Sequence, residues 1–279
     1  MSNNELMDGE LEKIEIALLL EGIYRRYGYD FRNYSYASIR RRIWHRIHLE
    51  GAANVSSLQE RVMHDFEAFQ RLLNDLVIPV TEMFRDPEMY LALRRDVLPA
   101  LRMLPYIRIW HAGCSTGEEA YSMSILLHEE GLLEKSRIYA TDINEAALKR
   151  ANERTIPIDR MKLYTKNYQA AGGQHTFSDY YVSDHGIVML KPFLSRNIVF
   201  ARHNLVTDRS FNEFHVIMCR NVMIYFNNEL REQVHQLFYD SLSPKGYLIL
   251  GGKESLSFTP MADRYETLND QHRIFRKAR

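Results

Sequence analysis

Apolar residues follow two rhythms along this chain. Up to about residue 104 they recur every three or four positions, as on a helix face; from Tyr106 onward they come in short runs set between helical stretches. The first rhythm predicts a helix over residues 11–27, with Leu11, Ile14 and Leu18 at helical spacing. A second helix follows Ser35, a residue suited to capping, and lines up Ile39, Ile43 and Ile47 on one side. On it Arg41 and His45, and Arg42 and Arg46, are four residues apart and fall on faces away from the isoleucines. A third helix is expected to start at Ser56 or Ser57 and run through Gln59, Val62 and Phe66, and a fourth spans residues 69–77. Residues 78–87 read as a loop. One more helix, over residues 87–104, is punctuated by Pro99 and Pro105.

The second rhythm alternates strand and helix. Residues 107–112 form a strand, followed by the turn Gly113-Cys114-Ser115-Thr116-Gly117 and a helix from Glu118. The strand at 137–141 ends at Asp142 and leads into a helix over 144–153. Strands at 197–201 and 214–219, a helix over 228–242, a Pro244-Lys245-Gly246 turn and a strand at 247–250 complete the series. Such alternation predicts an α/β fold, a mostly parallel sheet covered by helices. Residues 163–196 break it: Gly172-Gly173, the aromatics Phe177, Tyr180 and Tyr181, and His185-Gly186 suggest a small antiparallel β insert. The expected division is a helical domain over 1–98 and a sheet domain over 99–279.

Composition adds limits. A chain of 279 residues, 46% hydrophobic and 26% charged, can bury a sizeable core, with disorder expected only in the first ten residues. Those residues are polar and acidic and do not read as a leader, and no apolar run approaches the roughly 18–20 residues of a membrane span. Two cysteines in strand-like contexts point to a reducing, cytoplasmic setting. The 11 histidines are scattered without metal-ligand spacing, so no metal centre is expected. Net charge is zero, yet residues 22–48 hold seven arginines, Arg25, Arg26, Arg32, Arg40, Arg41, Arg42 and Arg46, against the one acid Asp30. That excess suggests an acidic partner, nucleic acid or protein.

The chemistry is expected at strand ends, where open parallel sheets bind ligands. Gly113 and Gly117 flank a tight turn in front of a helix, but the run has only two glycines and is followed by Glu118 and Glu119. Acids there repel a pyrophosphate and suit a ligand with a positive end and no phosphates, such as S-adenosylmethionine. Asp142 stands where an acid would hold ribose hydroxyls. Asn204-Leu205 and Arg220-Asn221 fall after later strands on the same edge.

The segments 110–122 (WHAGCSTGEEAYS), 140–144 (ATDIN) and 219–226 (CRNVMIYF), with Thr81-Glu82-Met83-Phe84-Arg85-Asp86 upstream, resemble the bacterial chemotaxis receptor methyltransferases of the CheR type over nearly the whole chain. The resemblance implies a class I S-adenosylmethionine-dependent methyltransferase, Rossmann-like, behind an all-α N-terminal domain. It implies a cofactor site of Thr81, Arg85, Gly113, Glu118 or Glu119, Asp142, Asn204, Leu205, Arg220 and Asn221, with S-adenosylhomocysteine as product. Arg85 and Tyr225 would lie beside the transferred methyl group. The substrate would be glutamate side chains in the acidic helical region of chemoreceptors, met by Arg40, Arg41, Arg42 and Arg46. The β insert would be the subdomain that docks a receptor C-terminal peptide in some members. The protein would act in the cytoplasm as a monomer, without nucleic acid and without inserting into a membrane.

This sequence departs from the family at Pro79, where Asn is common, at Met83, usually Phe, and at Ala120, usually Pro. Two other readings compete. The arginine-rich helix would suit a nucleic-acid methyltransferase, but no N/D-P-P-Y-type run is present. A module that senses the cofactor or its product without turnover is favoured only by Pro79.

Overall fold

The computed structural model describes residues 3–77, 81–184, 186–256 and 259–278. Packing divides the chain into Met1–Ile78 with Tyr225–Arg231, and Pro79–Ile224 with Glu232–Arg279.

The first unit holds four helices, α1 (Asn3–Tyr27), α2 (Tyr36–Glu50), α3 (Val55–His64) and α4 (Phe66–Leu76). Ile39, Ile43 and Ile47 of α2 are buried in its core, as their spacing predicts. Helix α1 differs from expectation on two counts. It begins at Asn3, inside the stretch expected to be disordered. Its buried face is Ile16, Leu19, Leu20 and Ile23, whereas Leu11, Ile14 and Leu18 are 56%, 57% and 56% exposed. The helix carries two apolar stripes, and periodicity does not say which one meets the core. Helix α3 starts ahead of the serines because the Asn54 side chain accepts a hydrogen bond from the Ser57 amide at 2.9 Å. Asp65 does the same for α4, accepting from the Glu67 amide at 2.9 Å, so that the helix starts at Phe66, three residues ahead of the expected start. Residues 225–231 join this unit through a Tyr34–Phe226 bridge and an Asn227 amide that donates to the Asn33 carbonyl at 2.9 Å.

The second unit contains α5 (Pro87–Asp96), α6 (Leu98–Arg102), β1 (Ile107–Ala112), α7 (Glu118–Glu129), β2 (Ser136–Asp142) and α8 (Glu145–Glu153). There follow β3 (Thr155–Ile156), α9 (Met161–Ala170), β4 (Tyr181–Asp184), β5 (Ile187–Leu190), β6 (Ile198–Arg202), β7 (Phe214–Cys219), α10 (Asn228–Ser241), which begins in the first unit, and β8 (Leu242–Leu250), β9 (Tyr265–Asn269) and β10 (Ile274–Lys277). The main sheet has the order β6-β2-β1-β7-β8-β10-β9. Its first five strands are parallel, and β10 and β9 are antiparallel to their neighbours. No described helix is long and apolar enough to cross a membrane.

Several boundaries fall elsewhere than expected. Residues 81–98 belong with the sheet, because Met83, Phe84, Met89, Tyr90, Ala92 and Leu93 are buried in its core. The expected helix over 87–104 is broken at Val97, before Pro99. Pro244-Lys245-Gly246 is a bulge inside β8: Phe214 pairs with Leu242 and Val216 with Tyr247, and Lys245 takes φ 62°. The β9–β10 hairpin was not anticipated. The insert is a three-stranded antiparallel sheet, β3-β5-β4, that starts at Thr155 and encloses α9, while His185 lies outside the described residues. Glu129 of α7 anchors it, accepting hydrogen bonds from the Tyr168 and Tyr180 hydroxyls and the Gln174 amide while pairing with Arg94.

Candidate active site

Strand order fixes where the site sits. From β1 the chain builds outward through β2 to β6, then returns to place β7 and β8 on the other side of β1. The β1/β7 boundary is therefore the switch point, where connections leave in opposite directions and open a crevice at the strands' carboxyl ends. Gly113 ends β1 at φ 77°, and a Cβ there would lie 2.4 Å from Cγ2 of Val222, just past β7. Only glycine lets these two strand ends close together.

The turn after β1 is held by the end of β2. Gly113 and Cys114 amides donate to the Thr141 carbonyl, and the Ser115 amide donates to Asp142 at 2.8 Å. The other Asp142 oxygen accepts from the Asn144 amide at 2.9 Å, so one carboxylate ties two loops. Burial pushes the Asp142 carboxyl up, against the pull of the Asn144, Ser115 and Ile143 amides. Burial also pushes up the Cys114 and Cys219 thiols, neither of which is in a disulfide; the Cys114 thiol donates weakly to the Ser115 carbonyl at 3.7 Å.

Glu118 and Glu119 diverge. Glu118 accepts from the Thr116 hydroxyl at 2.7 Å, and burial raises its carboxyl. Glu119 sits between His111, at 2.9 Å through Nδ1, and Arg220, at 2.9 Å. Burial alone would raise the Glu119 carboxyl, but His111 and Arg220 hold it below the usual range. The Arg220 side chain is 2% exposed and also donates to Asp86 at 2.6 Å and to the Arg85 carbonyl at 3.3 Å. One guanidinium thus joins the end of β7, the start of α7 and the loop before α5.

That loop is strained where it turns. Phe84 and Asp86 have φ of 51° and 55°, a region non-glycine residues rarely enter. The Phe84 amide donates to the Ser122 hydroxyl at 2.8 Å, and Asn167 donates to the Met83 carbonyl at 3.1 Å. Arg85 lies between the strained residues, half-buried, and among the described residues its guanidinium has no acidic partner. Thr81 is half-buried ahead of it, and Pro79 lies outside the described residues. Asn204 is buried and shapes the turn after β6, accepting from the Val206 amide at 3.0 Å, with Leu205 half-buried beside it. Asn221 takes φ 62° directly after Arg220. The structure adds His111 and Asp86 to the residues picked from sequence; their signal is tertiary bonding, which spacing does not carry.

The arginines of the helical unit differ from the expected open basic face. Arg40 pairs with Glu12, Arg46 with Asp75 at 2.6 Å and Glu50 at 3.4 Å, Arg25 with Glu21, and Arg32 with Asp30 and Glu21. All of these acids but Asp30 lie outside residues 22–48, which is why the local charge count overstated the patch. Arg42 is 4% exposed: it donates to the Leu76 carbonyl, and its guanidinium lies 4.4 Å from the Tyr225 ring centroid. It faces inward, contrary to the expectation that it shares an outer face with Arg46. Arg41 is exposed and, among the described residues, has no ion-pair partner. Tyr225 is positioned in this unit by Arg42 and by the Ser35 amide, which donates to its carbonyl at 2.7 Å.

Residues 79–274 match the CheR methyltransferase SAM-binding domain, and residues 14–77 its all-alpha domain. The chain belongs to the CheR methyltransferase family. It is 51% identical over 265 residues to the protein named methyltransferase Cher3 of Pseudomonas putida, covering 95% of this chain and 97% of that one. A chemotaxis protein methyltransferase of Listeria monocytogenes is 30% identical over 89% of this chain and 92% of its own. The Pseudomonas aeruginosa chemotaxis protein methyltransferase 1 is 27% identical over 82% and 85%.

This CheR protein is accordingly an S-adenosylmethionine-dependent methyltransferase with a class I, Rossmann-like sheet domain and an all-α N-terminal domain. Its strand ends fit the cofactor. Glu118, Glu119 and Asp142 give the crevice three carboxylates, which suit a ligand carrying an ammonium and a sulfonium. The Ser115 hydroxyl is buried at the turn without a partner among the described residues, leaving it for a ligand.

Proposed function

We propose that this protein methylates glutamate side chains in the cytoplasmic, acidic helical region of chemoreceptors. The observation that carries the reading is the Arg220 hub, which joins Glu119 to the loop bearing Arg85, so that two of the family-implied residues are held by one buried cation. We assign Glu119, rather than Glu118, to the cofactor's ammonium for the same reason. Asp142 takes the ribose hydroxyls; Gly113, Thr81, Asn204, Leu205, Arg220 and Asn221 complete the cofactor contacts.

When bound, the cofactor supplies a methyl group on a sulfonium, an activated leaving group. A glutamate acceptor is ionised at neutral pH, its reference pKa being about 4.3, so no side chain has to remove a proton. What this chain contributes is alignment, an effect of up to about 7–11 kcal/mol. Arg85 steers the acceptor carboxylate: its planar fork matches a carboxylate, and among the described residues no acid pairs with it. Tyr225 is assigned to the methyl pocket on the family resemblance alone. On the helical unit Arg41, like Arg26, is exposed without an ion-pair partner among the described residues and is open to an acidic receptor surface, with Arg40 and Arg46 available only by exchanging partners. The ester removes one negative charge per site, which relieves repulsion in an acidic bundle.

The test is methyl transfer from labelled cofactor to membranes carrying chemoreceptors. Label should appear as base-labile glutamate ester, and Arg85→Ala should abolish transfer while leaving cofactor binding measurable. Normal turnover by Arg85→Ala would remove Arg85 from the reaction, and no ester on receptor glutamates with the wild-type protein would overturn the substrate.

A further inference from the structure

Glu254, in the loop after β8, is 5% exposed and accepts four backbone hydrogen bonds. One carboxylate oxygen takes the Val222 amide at 2.9 Å and the Met223 amide at 2.8 Å; the other takes Asn221 at 3.0 Å and Gly251 at 2.7 Å. Among the described residues it has no cationic partner, so its charge is met by amide dipoles alone. Three consecutive N–H groups converging behind a left-handed residue, here Asn221 at φ 62°, form an anion-binding concavity. In this protein the concavity is filled from within. Gly251 makes the fit possible: a Cβ there would lie 2.7 Å from the Glu254 carboxylate and 2.8 Å from the Asn221 nitrogen.

The clamped amides belong to residues that directly follow Arg220, and Val222 is the side chain against which Gly113 closes. Glu254 therefore links the ends of β8 and β7, and through Val222 that of β1, at the switch point. We propose that Glu254 is a positioning residue for the cofactor site, its carboxylate fixing the Arg220-Asn221 loop in the conformation that receives S-adenosylmethionine. The inference rests on the cofactor contacts proposed above for Arg220 and Asn221. Charge is needed, not only shape. A glutamine at 254 keeps one acceptor oxygen but turns an NH2 group toward two of the amides, donor against donor. Burial pushes the Glu254 carboxyl up, and the four amides oppose that shift.

The experiment compares the full-length wild type with Glu254→Gln in two measurements: hydrogen exchange of the 221–223 amides in the ligand-free protein, and calorimetric titration with S-adenosylhomocysteine. We expect exchange at these amides to accelerate tenfold or more and affinity to fall about 10- to 100-fold. Unchanged exchange, or faster exchange with wild-type affinity, overturns the positioning role. A wild type that fails to bind S-adenosylhomocysteine overturns the cofactor reading itself, whereas loss of affinity confined to the variant leaves that reading standing. If Glu254→Gln does not fold, the same measurements are made on Glu254→Asp, which keeps the charge but withdraws it by one methylene; wild-type exchange and affinity there also overturn the assignment.

Discussion

At the carboxyl edge of the sheet, charged groups such as Arg220, Asp142 and Glu254 are buried and bonded to several elements, whereas on the arginine-rich helices they lie mostly near the surface and are cancelled by acids from elsewhere in the chain. Arg220, Asp142 and Glu254 each bond to two or more backbone or side-chain groups from different elements. Arg40, by contrast, is half exposed and shares one acid, Glu12. The same residue types thus serve different ends. In the crevice they fix loop geometry, because an unpaired buried charge is costly. On the helices solvent screens exposed pairs such as Arg25–Glu21, and an incoming acidic partner can exchange for one at small expense, whereas Arg46–Asp75 is largely buried.

The largest break in this contrast should come from Arg220→Ala. It leaves Glu119 in a buried position without its guanidinium and frees the Arg85 loop. Loss of about 3–5 kcal/mol in denaturant unfolding is expected, along with loss of measurable cofactor binding. A stable variant with normal affinity would mean that the hub is dispensable.

Glu129→Gln comes next, because it tests a buried carboxylate that has a cation and lies away from the crevice. Burial would raise this carboxyl, but the Tyr168 and Arg94 hydrogen bonds hold it low. A depressed carboxyl contributes stability above its unfolded value, about 4.3, and loses it as pH falls through the folded value. The variant should cost about 1–3 kcal/mol at pH 7, and the difference from wild type should shrink below about pH 4. A gap independent of pH would point to packing instead.

The smallest effects belong to the helices. Arg40→Ala should leave the denaturation midpoint unchanged within error, and Arg41→Glu should leave folding intact but cut receptor methylation several-fold at low salt. Unchanged methylation would make Arg41 an ordinary solvated residue.

How much of this was legible in the sequence follows the same divide. Strands β1 and β7 stand where their apolar runs predict them, and with them the switch point and the strand-end residues. Short-range signals failed where two local choices competed. Leu11, Ile14 and Leu18 have the spacing of a buried face, yet the adjoining stripe of Ile16, Leu19, Leu20 and Ile23 meets the core. Asn54 took the cap that Ser56 and Ser57 seemed to offer. Strands β9 and β10 are short and partly polar, with β9 at the sheet edge, so their alternation is weak. The arginine excess was real in sequence, but Glu12, Glu21, Glu50 and Asp75 cancel it only in three dimensions. Glu254 left no trace at all, since its partners are backbone amides 31 to 33 residues away and at Gly251.

The account stands on the acidic crevice being the cofactor site, with Glu119 as its working acid. Calorimetric titration of S-adenosylhomocysteine into Glu119→Gln and Glu118→Gln tests this most directly. Affinity should fall at least tenfold further in Glu119→Gln than in Glu118→Gln. Equal affinities in the two variants, or a greater loss in Glu118→Gln, would contradict it.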